Sequence, residues 1–299
     1  MTILPFTSSE ATLETAGGKG MNLARLTRAG FIVPRGFIIP TEAYREFVKA
    51  NRWLSTIQSV VENVSAEDAG ALEKASTQIR VAFSAGKIPE EIEASIREAY
   101  AEFDDQAVAV RSSATAEDLP DLSFAGQQDT YLNVVGIEQL LAAVINCWSS
   151  LWTARAIGYR IRNHINHEEA ALAVIVQEMI QSEASGVLFT ANPLTGLRSE
   201  SVIDATLGLG EALVSGQVEP DHYVVNVLNN QIVSKTIGEK KISSRGKAGG
   251  GVEVIEESAE ARQALSDEDI LQVAAVGQQS QNEYDFLQDI EWALADGKL

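Results

Sequence analysis

Apolar positions in the first half of the chain recur at helical spacing. Residues 66 to 103 are rich in Ala and Glu and predict helix, interrupted near Gly86 and Pro89, where glycine entropy and the proline ring break the repeat. The stripe Ile137, Leu140, Leu141, Val144, Trp148, Leu151 and Trp152 falls on one face of a long helix. Periodicity alone accounts for it, so it is assigned to the core. Thr41 to Asn51 predicts a helix capped by Thr41, and Met21 to Ala29 a short helix behind a glycine cluster. Ala107 to Arg111 alternates as a strand, with Val108 and Val110 on one side and Ala109 and Arg111 on the other.

The second half is strand-rich. Leu172–Val176, Gly186–Thr190 and Val202–Ala205 read as buried strands, and His222–Leu228 and Gln231–Ile237 flank a hairpin signal at Asn229-Asn230. Arg245–Gly251 (RGKAGGG) reads as a flexible loop. Ser266 caps an acidic first turn of Asp267, Glu268 and Asp269, opening a helix to about Tyr284, and Leu287–Leu294 is the final strand. The change of character near Gln181 to Gly186 predicts an α+β chain of two lobes, residues 1–182 and 183–299.

With 299 residues, 45% of them apolar, the chain can bury a sizeable core. Its 23 basic residues face 42 acidic ones, a net charge of -19. Such a surface repels nucleic acid and anionic membranes. A polyanionic ligand would therefore require a few basic residues gathered in one place. The single cysteine, Cys147, excludes an intrachain disulfide and reads as core, which fits a reducing cytoplasm. No apolar run approaches the ~20 residues of a bilayer span, and the N-terminus lacks the pattern of a signal peptide.

Ala16-Gly17-Gly18-Lys19-Gly20 sets a lysine among glycines ahead of a helix, a setting that lets backbone and charge meet a phosphate; a tight turn with a solvated lysine reads equally well. Arg111 ends an apolar strand and is suited to bidentate phosphate contacts, or to a structural ion pair. The polar segment Gly126, Gln127, Gln128, Asp129 and Thr130 has the composition of a phosphate-covering loop. Gln177, Glu178, Met179 and Ile180 follow a buried strand, where backbone groups and a Met side chain can meet a purine. Glu211, in Gly208-Leu209-Gly210-Glu211, either lines a cleft or starts a helix. Asp289 and Glu291 share one strand face. Paired carboxylates repel unless a cation lies between them, and Mg²⁺ takes a few carboxylates plus phosphate oxygens; an acidic outer face is the alternative. His164 and His167 lie in the polar segment RNHINHEE, read as a solvated loop, and no histidine, serine or cysteine stands in a nucleophile motif.

Together, GGKGMNLARL, AVRSSATAEDLPDLSFAGQQDTYLNV, VQEMIQSEASGVLFTANP, IDATLGLGEALVSGQV and QDIEWAL resemble the ATP-binding domain of the phosphoenolpyruvate synthase, pyruvate phosphate dikinase and rifampicin phosphotransferase family, from about Thr15 to Leu294. The resemblance implies an ATP-grasp fold with ATP between two lobes. It implies that Lys19 and Arg111 hold phosphates, that Gly126 to Thr130 cover them, that Gln177 to Ile180 lie beside adenine, and that Glu291, next to Asp289, binds Mg²⁺. It implies transfer of the β-phosphate to a histidine on a separate phosphocarrier domain, with release of AMP, and then to an acceptor on a third domain. The family's QSRP-like strand and TGG…H-like segment do not occur in these 299 residues. The expectation is therefore an ATP-binding module of a pyruvate, water dikinase-like phosphotransferase that does not finish the reaction alone. Its alternatives are the ATP-binding domain of a rifampicin phosphotransferase, or a non-catalytic ATP-sensing module.

Overall fold

A computed structural model of the chain describes residues 3–115, 130–257 and 262–299. The sequence-predicted loop residues Gly126, Gln127, Gln128 and Asp129 lie outside the described residues. Contacts divide the chain into two compact units, Met1–Met179 and Ile180–Leu299, where sequence character set the boundary at 182/183. Each unit combines helices with an antiparallel sheet.

The first unit runs β1 (Leu4–Pro5), α1 (Leu13–Arg28), β2 (Gly36–Ile39), α2 (Thr41–Ala50), α3 (Leu54–Val61), α4 (Ala69–Ser84), α5 (Glu90–Ala101), β3 (Val108–Ala114), β4 (Thr130–Val134), α6 (Ile137–Ser150), α7 (Ala154–Arg162) and β5 (Leu172–Glu178). Its five strands are ordered β1-β2-β5-β3-β4, every pair antiparallel. β5 lies inside the sheet and is covered on both faces. That explains its unbroken apolar run Leu172–Val176, where a one-sided strand would alternate. One face, with Val108, Val110, Val174 and Val176, packs against Phe47, Phe83, Leu140 and Trp148 of the helices. The other, with Ile38, Ala173 and Ile175, packs against Ala16 and Ala24 of α1.

Several sequence expectations need correction. The glycine cluster sits at a kink within α1, where non-helical Gly17 breaks the helix, and the helix resumes directly after it rather than at Met21. Thr41 is the first residue of α2 rather than its cap, and its hydroxyl donates to Glu14 O at 2.8 Å. Arg245 and Gly246 lie in a strand, and only the residues after them turn. The stretch Ile137–Arg162 is apolar and long enough to resemble a membrane span, but its most apolar window is 67% buried inside the protein. It comprises the core helices α6 and α7.

The segment RNHINHEE is not wholly solvated either. The Arg160 guanidinium, 2% exposed, lies 4.8 Å over the Trp152 ring and donates from Nε to His167 Nδ1 at 2.9 Å. Its two terminal nitrogens have no partner among the described residues. Burial brings its pKa down to about 10, and burial with the nearby Arg160 charge brings His167 down to about 4. A depressed histidine binds its proton more readily in the unfolded chain. Stability from this site is therefore complete above pH 6.5 and is lost as pH falls from 6.5 towards 4. The full shift corresponds to on the order of 3 kcal/mol, which solvent screening at this half-buried imidazole reduces to about 1–2 kcal/mol. His167→Gln, which keeps an acceptor for Arg160, should flatten this part of the stability–pH curve in urea unfolding; an unchanged slope would assign acid sensitivity to the carboxylates alone.

The second unit continues with β6 (Ala184–Phe189), β7 (Glu200–Leu207), α8 (Glu211–Val214), β8 (Asp221–Asn226), β9 (Gln231–Thr236), β10 (Ile242–Gly246), β11 (Val252–Glu256), α9 (Asp267–Tyr284) and β12 (Asp289–Leu294). β10 and β11 form a two-stranded ribbon, and the other strands form a sheet ordered β12-β6-β7-β8-β9. Leu188, Ile203, Ala205, Tyr223 and Val225 pack against Ile270, Val273 and Ala274 of α9. That helix opens with a capping box. Ser266 Oγ accepts from Asp269 N–H at 3.2 Å, and Asp269 Oδ2 accepts from Ser266 N–H at 3.1 Å. Two of the helix's unpaired N-terminal donors are satisfied in this way.

Candidate functional site

Strand alternation and register bring three sequence-predicted residues to one face of the first sheet, the face that α1 covers. Arg111 and Ala109 alternate away from the large helical core. Arg111 pairs across with Thr130 on β4 and Ile175 on β5, while Ala109 pairs with Gln177. Thr130, Arg111 and Gln177 therefore occupy three adjacent strands on one face, with Arg111 and Gln177 on a diagonal of about 7–8 Å.

Lys19 reaches this face through α1. Gly17 adopts φ 66°, ψ 176° and interrupts the helix. A Cβ there would run into the carbonyl and hydroxyl oxygens of Ser113, so only glycine permits the approach. Ser113 Oγ donates to Ala16 O at 2.8 Å and accepts from Gly20 N–H at 3.1 Å. The glycine segment is thus stitched to β3 two residues from Arg111, on Arg111's own face. Lys19 sits just beyond the kink, in the first turn of the resumed helix, where the helix dipole favours an anion. In a chain of net charge -19, two cations, a helix start and polar groups on one face suit a polyanion. By contrast, a hollow of about 500 Å³ lined by Glu42, Glu46, Glu90 and Glu91 would repel one.

The segment after β5 is more constrained than its sequence suggests. Gln177 is 8% exposed, and its Nε2 donates to Pro34 O at 3.2 Å. Glu178 N–H donates to Arg35 O at 2.9 Å, and Met179 N–H to Ala107 O at 3.0 Å. Both amides are spent within the unit, so a purine against this segment would have to use other groups. Met179 is half-buried, and so is Ile180, which begins the second unit.

In the second unit, Asp289 and Glu291 lie on the sheet face opposite α9, about 7 Å apart along β12. Asp289 has its carboxyl pKa raised, first by loss of hydrating water to surrounding protein and then by the charge of Glu291. That electrostatic cost is what a divalent cation would relieve. No group of three or more His, Cys, Asp or Glu side chains able to hold a metal occurs among the described residues. Two carboxylates alone do not complete the shell of a divalent cation, which takes further oxygens. Glu211 is exposed at the start of the short α8, with no contact described to either carboxylate.

Register reveals a feature that sequence reading missed. Glu291 pairs with Val187, Val187 with Asp204 and Asp204 with His222. His222 Nδ1 and Asp204 Oδ1 are 2.7 Å apart. The pair shares the face of Glu291, two and three strands away. Nothing in the sequence around Asp204 or His222 announces this, because the pairing exists only once β7 and β8 are in register.

Comparison with known proteins gives a consistent picture. The family described as pyruvate phosphate dikinase, AMP/ATP-binding domain, matches residues 13–299. A probable phosphoenolpyruvate synthase of Methanocaldococcus jannaschii is 41% identical over 97% of this chain and 25% of its own length. The rifampicin phosphotransferase of Bacillus cereus is 42% identical over 99% of this chain and 35% of its own. The phosphoenolpyruvate synthase of Pyrococcus furiosus is 39% identical over 97% and 42%. The chain thus spans well under half the length of these curated relatives.

Proposed function

The chain belongs to the family of the pyruvate phosphate dikinase AMP/ATP-binding domain, and from that premise we propose that it is the ATP-binding module of a phosphoenolpyruvate synthase-like phosphotransferase with an ATP-grasp arrangement. The observation that supports this reading is that Arg111, Thr130 and Gln177 share one face of one sheet, against which the glycine segment bearing Lys19 is hydrogen-bonded through Ser113. Lys19 and Arg111 take the phosphates, and Gly126 to Thr130 cover them. Gln177 to Ile180 flank the base. From the second unit, Asp289 and Glu291 hold Mg²⁺, with Glu211 as a further contributor to the nucleotide site. The bound ion would neutralise phosphate oxygens; the chain's own task is to position the triphosphate and offset its charge, which is most of what phosphoryl transfer asks of a protein. The acceptor of the β-phosphate is a histidine on a separate phosphocarrier domain, with AMP released, and a further domain holds the final acceptor. The setting is cytoplasmic.

Calorimetric titration with ATP, with and without Mg²⁺, tests this reading. Binding is expected to strengthen with Mg²⁺ in the wild type, and Glu291→Gln should blunt that dependence by about tenfold, with the fold intact. A variant whose Mg²⁺ titration overlays the wild type would reduce Asp289 and Glu291 to an acidic strand face.

A further inference from the structure

We propose that Arg35 is a positioning residue for the nucleobase segment, fixing the geometry with which Gln177–Met179 meets the base. The inference rests on the reading of that segment as the base site. Arg35 sits in the turn before β2, far in sequence from β5, yet its groups converge on the end of β5. Its backbone carbonyl accepts the N–H of Glu178 at 2.9 Å. Its Nε donates to Glu178 Oε2 at 3.2 Å, Nη1 to Glu102 O at 3.1 Å and Nη2 to Gln106 Oε1 at 2.9 Å. Its guanidinium carbon lies 4.7 Å from the centroid of Phe103, which is itself buried. The neighbouring Pro34 carbonyl holds the Gln177 amide at 3.2 Å.

Every face of the guanidinium is used. Three nitrogens donate to three different chain segments, and the plane lies on an aromatic ring. The planar fork is suited to such simultaneous contacts, and an ammonium at the same place could satisfy only part of them. The segments joined are the end of α5, the approach to β3 and the exit of β5. Arg35 is half-exposed, so its ion pair with Glu178 alone would contribute little. Its leverage is geometric: it ties the exit of β5 to both neighbouring segments.

The test compares ATP with inorganic tripolyphosphate, which carries the phosphates and lacks the base, by calorimetry on the whole chain with Mg²⁺. Arg35→Ala is expected to weaken ATP about fivefold and to leave tripolyphosphate unchanged, since Lys19 and Arg111 remain. Arg35→Lys, which keeps charge and loses the fork, should fall between wild type and Arg35→Ala. Equal losses for both ligands, or no loss for either, would overturn the proposal. Gln177→Ala, measured the same way, separates the two levels of the argument. If Gln177→Ala loses ATP selectively and Arg35→Ala does not, the base site stands and Arg35 has no positioning role. If neither variant discriminates the ligands, the base site itself is misassigned.

Discussion

Arg111→Ala is expected to weaken ATP binding at least tenfold, about 1.5 kcal/mol, with little change in melting temperature. The magnitude is the lower range for a charge-assisted contact, and a bidentate guanidinium–phosphate pair can exceed it. The stability side follows from position. Arg111 is on β3, which is paired on both sides by β4 and β5 through its backbone. Its apolar neighbours Val108 and Val110 hold the strand to the core from the opposite face. Removing the side chain therefore removes charge from the α1-covered face and leaves the ladder in place. Arg111→Lys should recover part of the affinity, because it restores charge without the fork. The measurement is calorimetry with ATP beside a thermal melt. Wild-type affinity in a folded Arg111→Ala protein would remove Arg111 from the nucleotide site, and with it the convergence on which the functional reading rests.

The largest stability effect is expected at Asp221, on the other unit. Asp221 is fully buried and accepts from Gly238 N–H at 3.0 Å, Ala264 N–H at 2.7 Å and Tyr223 OH at 2.7 Å, and it pairs with the Lys240 ammonium. Lys240 has a side chain only 2% exposed. One carboxylate thus satisfies two backbone amides, a phenol and a cation, tying together β8, the segment after β9 and the segment leading into α9. Asp221→Ala would leave that ammonium buried with the Gly238 carbonyl, at 3.0 Å, as its described partner. The cost of such an orphaned charge is about 3–5 kcal/mol. The double replacement of Asp221 by Ala and Lys240 by Met should recover a large share, since the penalty lies in the stranded charge. Urea unfolding followed by hydrogen exchange at β7 and β8 amides reports on this unit directly. A loss below about 1 kcal/mol for Asp221→Ala would mean that water reaches Lys240 readily and that the network holds little.

The sequence was most informative where one periodicity acted alone. α9 begins at Asp267 and ends at Tyr284 as expected, because a Ser266 cap, an acidic first turn and an amphipathic repeat agree. The alternation of Val108 and Val110 against Ala109 and Arg111 fixed which face Arg111 occupies, and the ladder agrees. The sequence pattern predicts no helix over residues 154–162, and only the burial of Arg160 against Trp152 reveals that segment as core. The helix after the glycine cluster is expected from Met21, whereas α1 begins at Leu13 and is broken at Gly17, where the chain approaches Ser113. The second case turns on a partner distant in the chain, which local pattern does not contain. The same holds for the site. Lys19 and Arg111 are recognisable individually, but their placement on one face depends on Ser113, and the Arg35 contacts to Glu178 span a separation of 143 residues.

The order of the second sheet bears on how this unit is assembled. β6 to β9 follow one another as antiparallel neighbours, and each pair can close from residues near in sequence. β12 does not extend that series. It returns to pair with β6 at the opposite edge, matching Ile290 with Leu188, about a hundred residues earlier. Closing such a loop is entropically costly and slow compared with hairpin formation. During synthesis, with the N-terminal part emerging first, the meander can collapse before the strand bearing Asp289 and Glu291 exists. Acquisition of the acidic pair is therefore the closing event of this unit's folding. Refolding experiments should show Mg²⁺-responsive signals rising with the slowest phase, after the hairpin amides are already protected.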